Sequence, residues 1–220
     1  MIKITAMVST ILAASLMLAS CGTKNETSKA TAKPQATATA VAQTGKSVEE
    51  LTEKKDYITI KVNVNGETKT MSGEIYPELA PETVKNFEKL VDEQFYTGLI
   101  FHRVIPGFMI QGGGYKPDFS ETDADSIRGE FAANGCATND IKHTRGVLSM
   151  ARTMAPNSAS SQFFIMHKDA PHLDRQYAAF GKVTEGIEVV DKIASVRTGT
   201  YGYFSDVPVA PVVIEKIELI

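Results

Sequence analysis

Between Phe101 and Gly114 the chain reads FHRVIPGFMIQGGG, and that stretch leaves few folds open. Pro106-Gly107 presets a tight turn, because proline fixes φ and glycine accepts backbone angles that other residues avoid. The segments on either side read as strands, so the whole predicts a β-hairpin. Alternation along the second strand puts Met109 and Gln111 on one face and Ile110 on the other. Arg103 enters the same small area from the first strand, with the ring of Phe108 beside it. An arginine is rarely buried without a partner, so a cation in so apolar a segment points to a surface with work to do.

The chain starts with Met1-Ile2-Lys3 and an apolar run from Ile4 to Leu18. A run of about 15 residues is short for a bilayer span, which needs roughly 20, so residues 1–20 read as a secretory signal peptide. It ends in Leu18-Ala19-Ser20-Cys21-Gly22, which resembles a bacterial lipobox. In such signals the cysteine takes a diacylglyceryl group, with palmitate-type chains, and becomes the first residue of the mature protein. Acyl chains contribute about 0.8 kcal/mol per buried CH₂, enough for stable anchoring when several are present. Lipidation of Cys21 therefore predicts an extracytoplasmic protein tied to a bacterial membrane, at the outer face of the cell membrane or facing the periplasm. Residues 21–56 are expected to be this lipidated N-terminus and a disordered tether. The sequence TKNETSKATAKPQATATAVAQTGK has no aromatic residue and almost nothing to bury. Such a tether reaches roughly 30–35 Å. Ser47 and Glu50 match a capping box, which predicts one or two helical turns ahead of the domain.

From Tyr57 the pattern becomes strict alternation, with Ile58, Ile60, Val62 and Val64 on one face. Asn65-Gly66 supplies a two-residue hairpin turn, and Met71, Gly73 and Ile75 share a face of the return strand. Pro81 marks a first helical position, and Val84, Phe87, Leu90 and Val91 recur at helical spacing up to Gln94. Residues 115–142 show no period and read as long loops walling a groove. Gln162 and Phe164 fall on one face of a later strand, with Phe163 and Ile165 on the other. Residues 180–183 continue as strand, Ile187, Val190 and Ile193 mark a second helix, and the last strand points Ile217 and Leu219 inward. Many short strands with two helices suit a mainly β fold, a closed antiparallel barrel plugged at its ends by helices, although the pattern alone leaves the architecture open.

Several chemistries are excluded. The net charge of −3 argues against nucleic-acid binding, which relies on a basic surface. His143 and Ser149 lack a nucleophile elbow of the Gly-x-Ser-x-Gly kind. His102, His143, His167 and His172 lack metal spacing, and glycines 112–114 lack the lysine of a phosphate-binding loop, so no metal or cofactor is expected. Cys136 has no partner once Cys21 is acylated.

Three blocks in register carry a family resemblance: FHRVIPGFMIQGG, then HTRGVLSMAR from His143 to Arg152, then SQFFIM from Ser161 to Met166. Together they resemble the cyclophilins, and the resemblance covers residues 57–220. It implies a closed eight-stranded antiparallel β-barrel capped by two α-helices and peptidyl-prolyl cis-trans isomerase activity, with no covalent intermediate. It assigns Arg103 as the catalytic donor and places Phe108, Met109, Phe164 and Leu173 around the proline. Gln111, Gln162 and Ala151 match polar substrate contacts, Gln111 being either a direct contact or a support for Arg103. His102 matches a further substrate-side position, and Tyr177 stands at the rim where many members have histidine. Arg152 replaces a common asparagine. His172 replaces the drug-contacting tryptophan of the family, and the chain has no tryptophan at all, so cyclosporin binding is not implied. The implied partners are proline-containing polypeptides, secreted or in the envelope, met by a monomer acting as a folding helper. The competing readings are a proline-binding module without turnover and a general holdase; intact Arg103 favours the enzyme, because simple binding needs only the apolar hollow.

Overall fold

The computed structural model describes residues 56–122 and 124–220. The expected signal peptide, the lipidated Cys21, the tether and the Ser47 capping box lie outside the described residues. β1 (Asp56–Val64) and β2 (Glu67–Ile75) are joined as the alternation demands. Asn65 and Gly66 both take positive φ, 54° and 85°, so the turn twists with the strands and the ladder stays in register from Asp56–Ile75 to Val64–Glu67.

Helix α1 (Pro81–Asp92) starts at its proline and buries Thr83, Val84, Phe87, Leu90 and Val91. Ala80, at the cap position, offers no side-chain oxygen. The cap comes instead from the long loop: Glu130 accepts from the Glu82 N–H at 3.1 Å and from the Thr83 N–H at 2.7 Å. A carboxylate at this end satisfies two orphan donors and meets the positive end of the helix dipole.

The remaining elements are β3 (Arg103–Ile105), β4 (Met109–Gly112), β5 (Val147–Met150), β6 (Phe163–Met166), β7 (Ala179–Glu185), α2 (Ile187–Ala194), β8 (Thr198–Tyr201), β9 (Phe204–Pro208) and β10 (Val213–Leu219). Eight strands form one antiparallel sheet in the order β10-β1-β2-β7-β5-β6-β4-β3. β8 and β9 pair only with each other, a separate hairpin that hydrophobic period does not announce.

Two expectations need correction. The barrel is not closed: the sheet curls into a half-barrel whose edge strands β3 and β10 do not pair with each other. The segment before β3 does reach β10, through a bridge between Ile100 and Val213 and backbone hydrogen bonds from the Gly98 N–H to the Ile214 carbonyl and from the Ile214 N–H to the Leu99 carbonyl. β3 is three residues long and its partner-facing run ends at the Pro106 turn, so it has too little backbone to zip the edge shut. Leu219 is 36% exposed rather than inward, because it sits at the fraying end of β10, whereas Ile217 is buried as expected.

The core fills the inside of the half-barrel. Phe87 of α1 contacts Tyr96, Phe163 and Phe180 with ring centroids 5.3, 5.7 and 5.0 Å away, so phenylalanines and tyrosines do the packing. Val104, Ile110, Leu148 and Ile165 join that cluster from the inner face of the sheet. A second cluster lies on the opposite face and includes Met109, Phe164, Met166, Leu173 and Ala179.

Candidate active site

The site grows from one row of the ladder. Arg103 on β3 pairs with Gln111 on β4, Gln111 with Phe164 on β6, and Phe164 with Ser149 on β5. Directly opposed residues in antiparallel strands point to the same side, so these four side chains share one face. The next residues along, Val104, Ile110, Ile165 and Leu148, are paired in the same way and point into the core. One hydrophobic period thus fixes the core and the site together.

The turn between β3 and β4 is held in place. Gly107 adopts φ 77°, and its N–H donates to His167 Nδ1 at 2.8 Å, while His167 Nε2 lies 3.1 Å from Asp191 Oδ1. The Phe108 carbonyl accepts from the backbone N–H of His167 and Lys168. Phe108 is presented at the rim, stacked on His172 with centroids 5.7 Å apart and planes at 25°.

A hollow of about 240 Å³ opens beside Arg103, lined by Phe108, Met109, Gln111, Ala151, Arg152, Phe164, Leu173 and Tyr177. Its floor is apolar, and Arg103 stands at one wall with 43% of its side chain exposed. All but two of the residues that the family resemblance assigned to catalysis and substrate binding meet there. His102 and Gln162 do not; they line a second hollow that shares Arg103 and Gln111 with the first.

Fixed partners set the polar groups. The Gln111 amide donates to Gln162 Oε1 at 3.0 Å, so its side chain is tied to Gln162 across the sheet. The Ala151 N–H donates to the Gln162 carbonyl at 2.9 Å, leaving the Ala151 carbonyl as the group that can accept from a bound chain. Arg152 is pinned by two bonds to the Gln176 carbonyl, and its guanidinium lies 4.7 Å from the Tyr177 ring centroid and 4.9 Å from that of Phe131. His102 is buried beside Arg103, and burial first, then the neighbouring charge, pushes its pKa down to about 4. It is neutral at physiological pH.

Sequence reasoning missed Asp206. Its Oδ2 lies 3.8 Å from Arg103 Nε, delivered by β9 in a left-handed backbone conformation of φ 61°. No local signal marks a residue so far along the chain. His143, Ser149 and Asp174 do come together, with Nε2 to Oγ at 3.1 Å and Nδ1 to Oδ1 at 3.3 Å. These are triad-like distances, yet Ser149 is completely buried behind Phe164, where no substrate carbonyl reaches it. Burial lowers the His143 pKa although Asp174 opposes it, and the trio serves as a prop beneath the row. Among the described residues no cluster of acidic, histidine or cysteine side chains is arranged to hold a metal. Cys136 is a free, partly exposed thiol 3.5 Å from Thr138 Oγ1.

A family model described as cyclophilin type peptidyl-prolyl cis-trans isomerase/CLD matches residues 57–219. A peptidyl-prolyl cis-trans isomerase of Acinetobacter baylyi is 49% identical over 152 residues, 66% of this chain and 78% of the relative. Peptidyl-prolyl cis-trans isomerase B of Escherichia coli is 45% identical over 151 residues, 64% of this chain and 88% of the relative. Among solved structures, a cyclophilin type isomerase of Cryptosporidium parvum is 26% identical with a TM-score of 0.61, covering 76% of this chain and 98% of that one. A second crystal structure of it, in the presence of the dipeptide Ala-Pro, gives a TM-score of 0.58 at 27% identity, covering 73% and 96%.

Proposed function

The chain belongs to the cyclophilin-type peptidyl-prolyl cis-trans isomerases and is an enzyme of that class, and from this premise we propose how its own residues turn an X-Pro bond. The barrier to rotation, about 18–20 kcal/mol, is amide resonance. In the twisted state the prolyl nitrogen regains a localised lone pair. Arg103 donates to that lone pair, and because the planar amide offers nothing equivalent, the bond forms only on the way over the barrier. Nε is faced by Asp206, so the terminal Nη groups are the donors turned to substrate.

A hydrogen bond from a charged donor contributes about 1.5–3 kcal/mol, whereas millisecond turnover needs about 5–7 kcal/mol. The remainder comes from holding the proline ring against Phe108, Met109, Phe164 and Leu173 while the rest of the chain rotates. The Gln111–Gln162 amide pair and the Ala151 carbonyl give the flanking backbone fixed partners in place of water. The observation that carries this reading is the first hollow, in which the part-exposed Arg103 guanidinium stands beside an apolar floor while Arg152 is pinned to the Gln176 carbonyl.

The test is exchange NMR on an Ala-Pro peptide with the protein and its Arg103→Ala variant. Acceleration falls at least about 10²-fold in the variant while peptide binding stays within about 3-fold. Equal acceleration by both proteins would overturn the role of Arg103.

The leader and Cys21 support the rest of the proposal: the enzyme is acylated at Cys21, stands outside the cytoplasmic membrane and acts on secreted or envelope proteins. Labelled palmitate should enter the full chain and not its Cys21→Ala variant. Equal labelling of the two would sink that part.

A further inference from the structure

The second hollow, about 330 Å³, extends the first beyond Arg103 and Gln111 and is unlike it in lining. Its walls are Tyr115, Tyr203 and Phe204, two of them from the β8–β9 hairpin, and His102 and Gln162 complete it. The rings brace one another. Phe204 meets Tyr115 edge-on at 5.1 Å, Tyr115 meets His102 at 4.7 Å, and behind them Phe119 stacks on Tyr201 at 4.2 Å and tilts against Phe204 at 5.3 Å. Tyr203 alone is unbraced, held wholly in solvent at the hairpin turn beside Gly202. A rigid aromatic wall with one free ring at its lip is poorly explained by packing, because the ring that protrudes supports nothing.

We propose that this hollow is a second substrate subsite, which takes an aromatic side chain of the client polypeptide next to the proline held in the first. The proposal rests on the reading of the first hollow as the proline site. A chain seated there must pass Arg103 and Gln111, which both hollows share, so the residues just beyond lie over the second at about 3.3 Å per residue. Edge-to-face and stacked contacts suit rings, and three ring walls offer them. An acidic side chain is disfavoured, since Asp206 already faces the guanidinium and would repel a second carboxylate.

The experiment uses the full-length protein and alanine-based peptides carrying Tyr, Glu or Ala two residues before or after the proline, with KM and kcat from exchange NMR. On one side of the proline, Tyr lowers KM roughly 2- to 10-fold relative to Ala, and Glu raises it. Tyr203→Ser, which removes a fully exposed ring, abolishes the gain. Equal KM for all flanks, or a Tyr preference that survives in Tyr203→Ser, would overturn the subsite. So would concentration-dependent sedimentation lost in Tyr203→Ser, because a second copy would then fill the hollow. If the Ala-flanked peptide were not accelerated at all, the failure would belong to the proline site instead.

Discussion

Asp206 Oδ2 stands 3.8 Å from Arg103 Nε, and it does so from a left-handed backbone conformation that few residues other than glycine, asparagine and aspartate adopt readily. Two edges of the molecule, β3 of the main sheet and β9 of the separate hairpin, are thereby tied at the guanidinium. The contact engages the Nε side of the guanidinium, away from the terminal nitrogens to which the proposed bond to substrate is assigned.

Asp206→Asn keeps the backbone preference and removes the charge, so it isolates the ion pair. Both side chains are about two-fifths exposed, which holds the contribution to about 0.2–1 kcal/mol. The expected result is kcat for an Ala-Pro peptide roughly 2- to 5-fold lower at low salt, with KM little changed and the difference fading as salt rises. Unchanged kcat at low ionic strength would show that Asp206 does not orient Arg103.

The pH dependence divides activity from stability. Arg103 stays charged and His102, with its pKa pushed down to about 4, stays neutral, so kcat/KM should be flat from about pH 6 to 9. A bell-shaped profile would point to a titrating group in the site. Stability behaves differently. His102 and His143 both bind protons less readily folded than unfolded, so their burial is harmless above about pH 6.5 and costs stability as pH falls from there towards 4. For His102 the full cost is on the order of 3 kcal/mol. Thermal melts across that window should show Tm falling, and a level Tm would contradict the buried neutral histidines.

Glu130 caps a helix that has no cap of its own. Glu130→Ala removes acceptors from two N–H groups, one of them buried, and should cost about 2 kcal/mol in urea unfolding without altering kcat of the folded enzyme. Glu130→Gln keeps an acceptor and should lose less. Equal, negligible losses in both would mean that water serves as well as the carboxylate.

Gly181 and Gly73 let β2 and β7 approach closely. A Cβ on Gly181 would lie 2.5 Å from the Glu74 carbonyl oxygen, and one on Gly73 would lie 2.5 Å from that of Lys182. Backbone atoms in a ladder cannot turn aside, so Gly181→Ala should destabilise by about 1–3 kcal/mol. Wild-type stability in that variant would show that the two strands can part without penalty.

The sequence alone determined the local elements, and the resemblance of its three blocks picked out the residues that line the first hollow. Period-two alternation fixed β1, β2 and β6, Asn65-Gly66 set the turn between β1 and β2 and Pro106-Gly107 that between β3 and β4, and a helical stripe placed α1 from Pro81. Alternation also set Arg103, Gln111 and Phe164 on the face opposite Ile110 and Ile165, because face choice on a strand is a nearest-neighbour property. Tertiary structure decided what depends on segments distant in sequence. The edges β3 and β10 do not pair because β3 ends after three residues at the Pro106 turn, a length that alternation does not encode, and the half-barrel stays open. Glu130 reached α1, Asp206 reached Arg103, and His102 with Gln162 moved to a second hollow walled by an unannounced hairpin. In each case the deciding interaction joins residues whose separation along the chain carries no period, so only the folded path could bring them together.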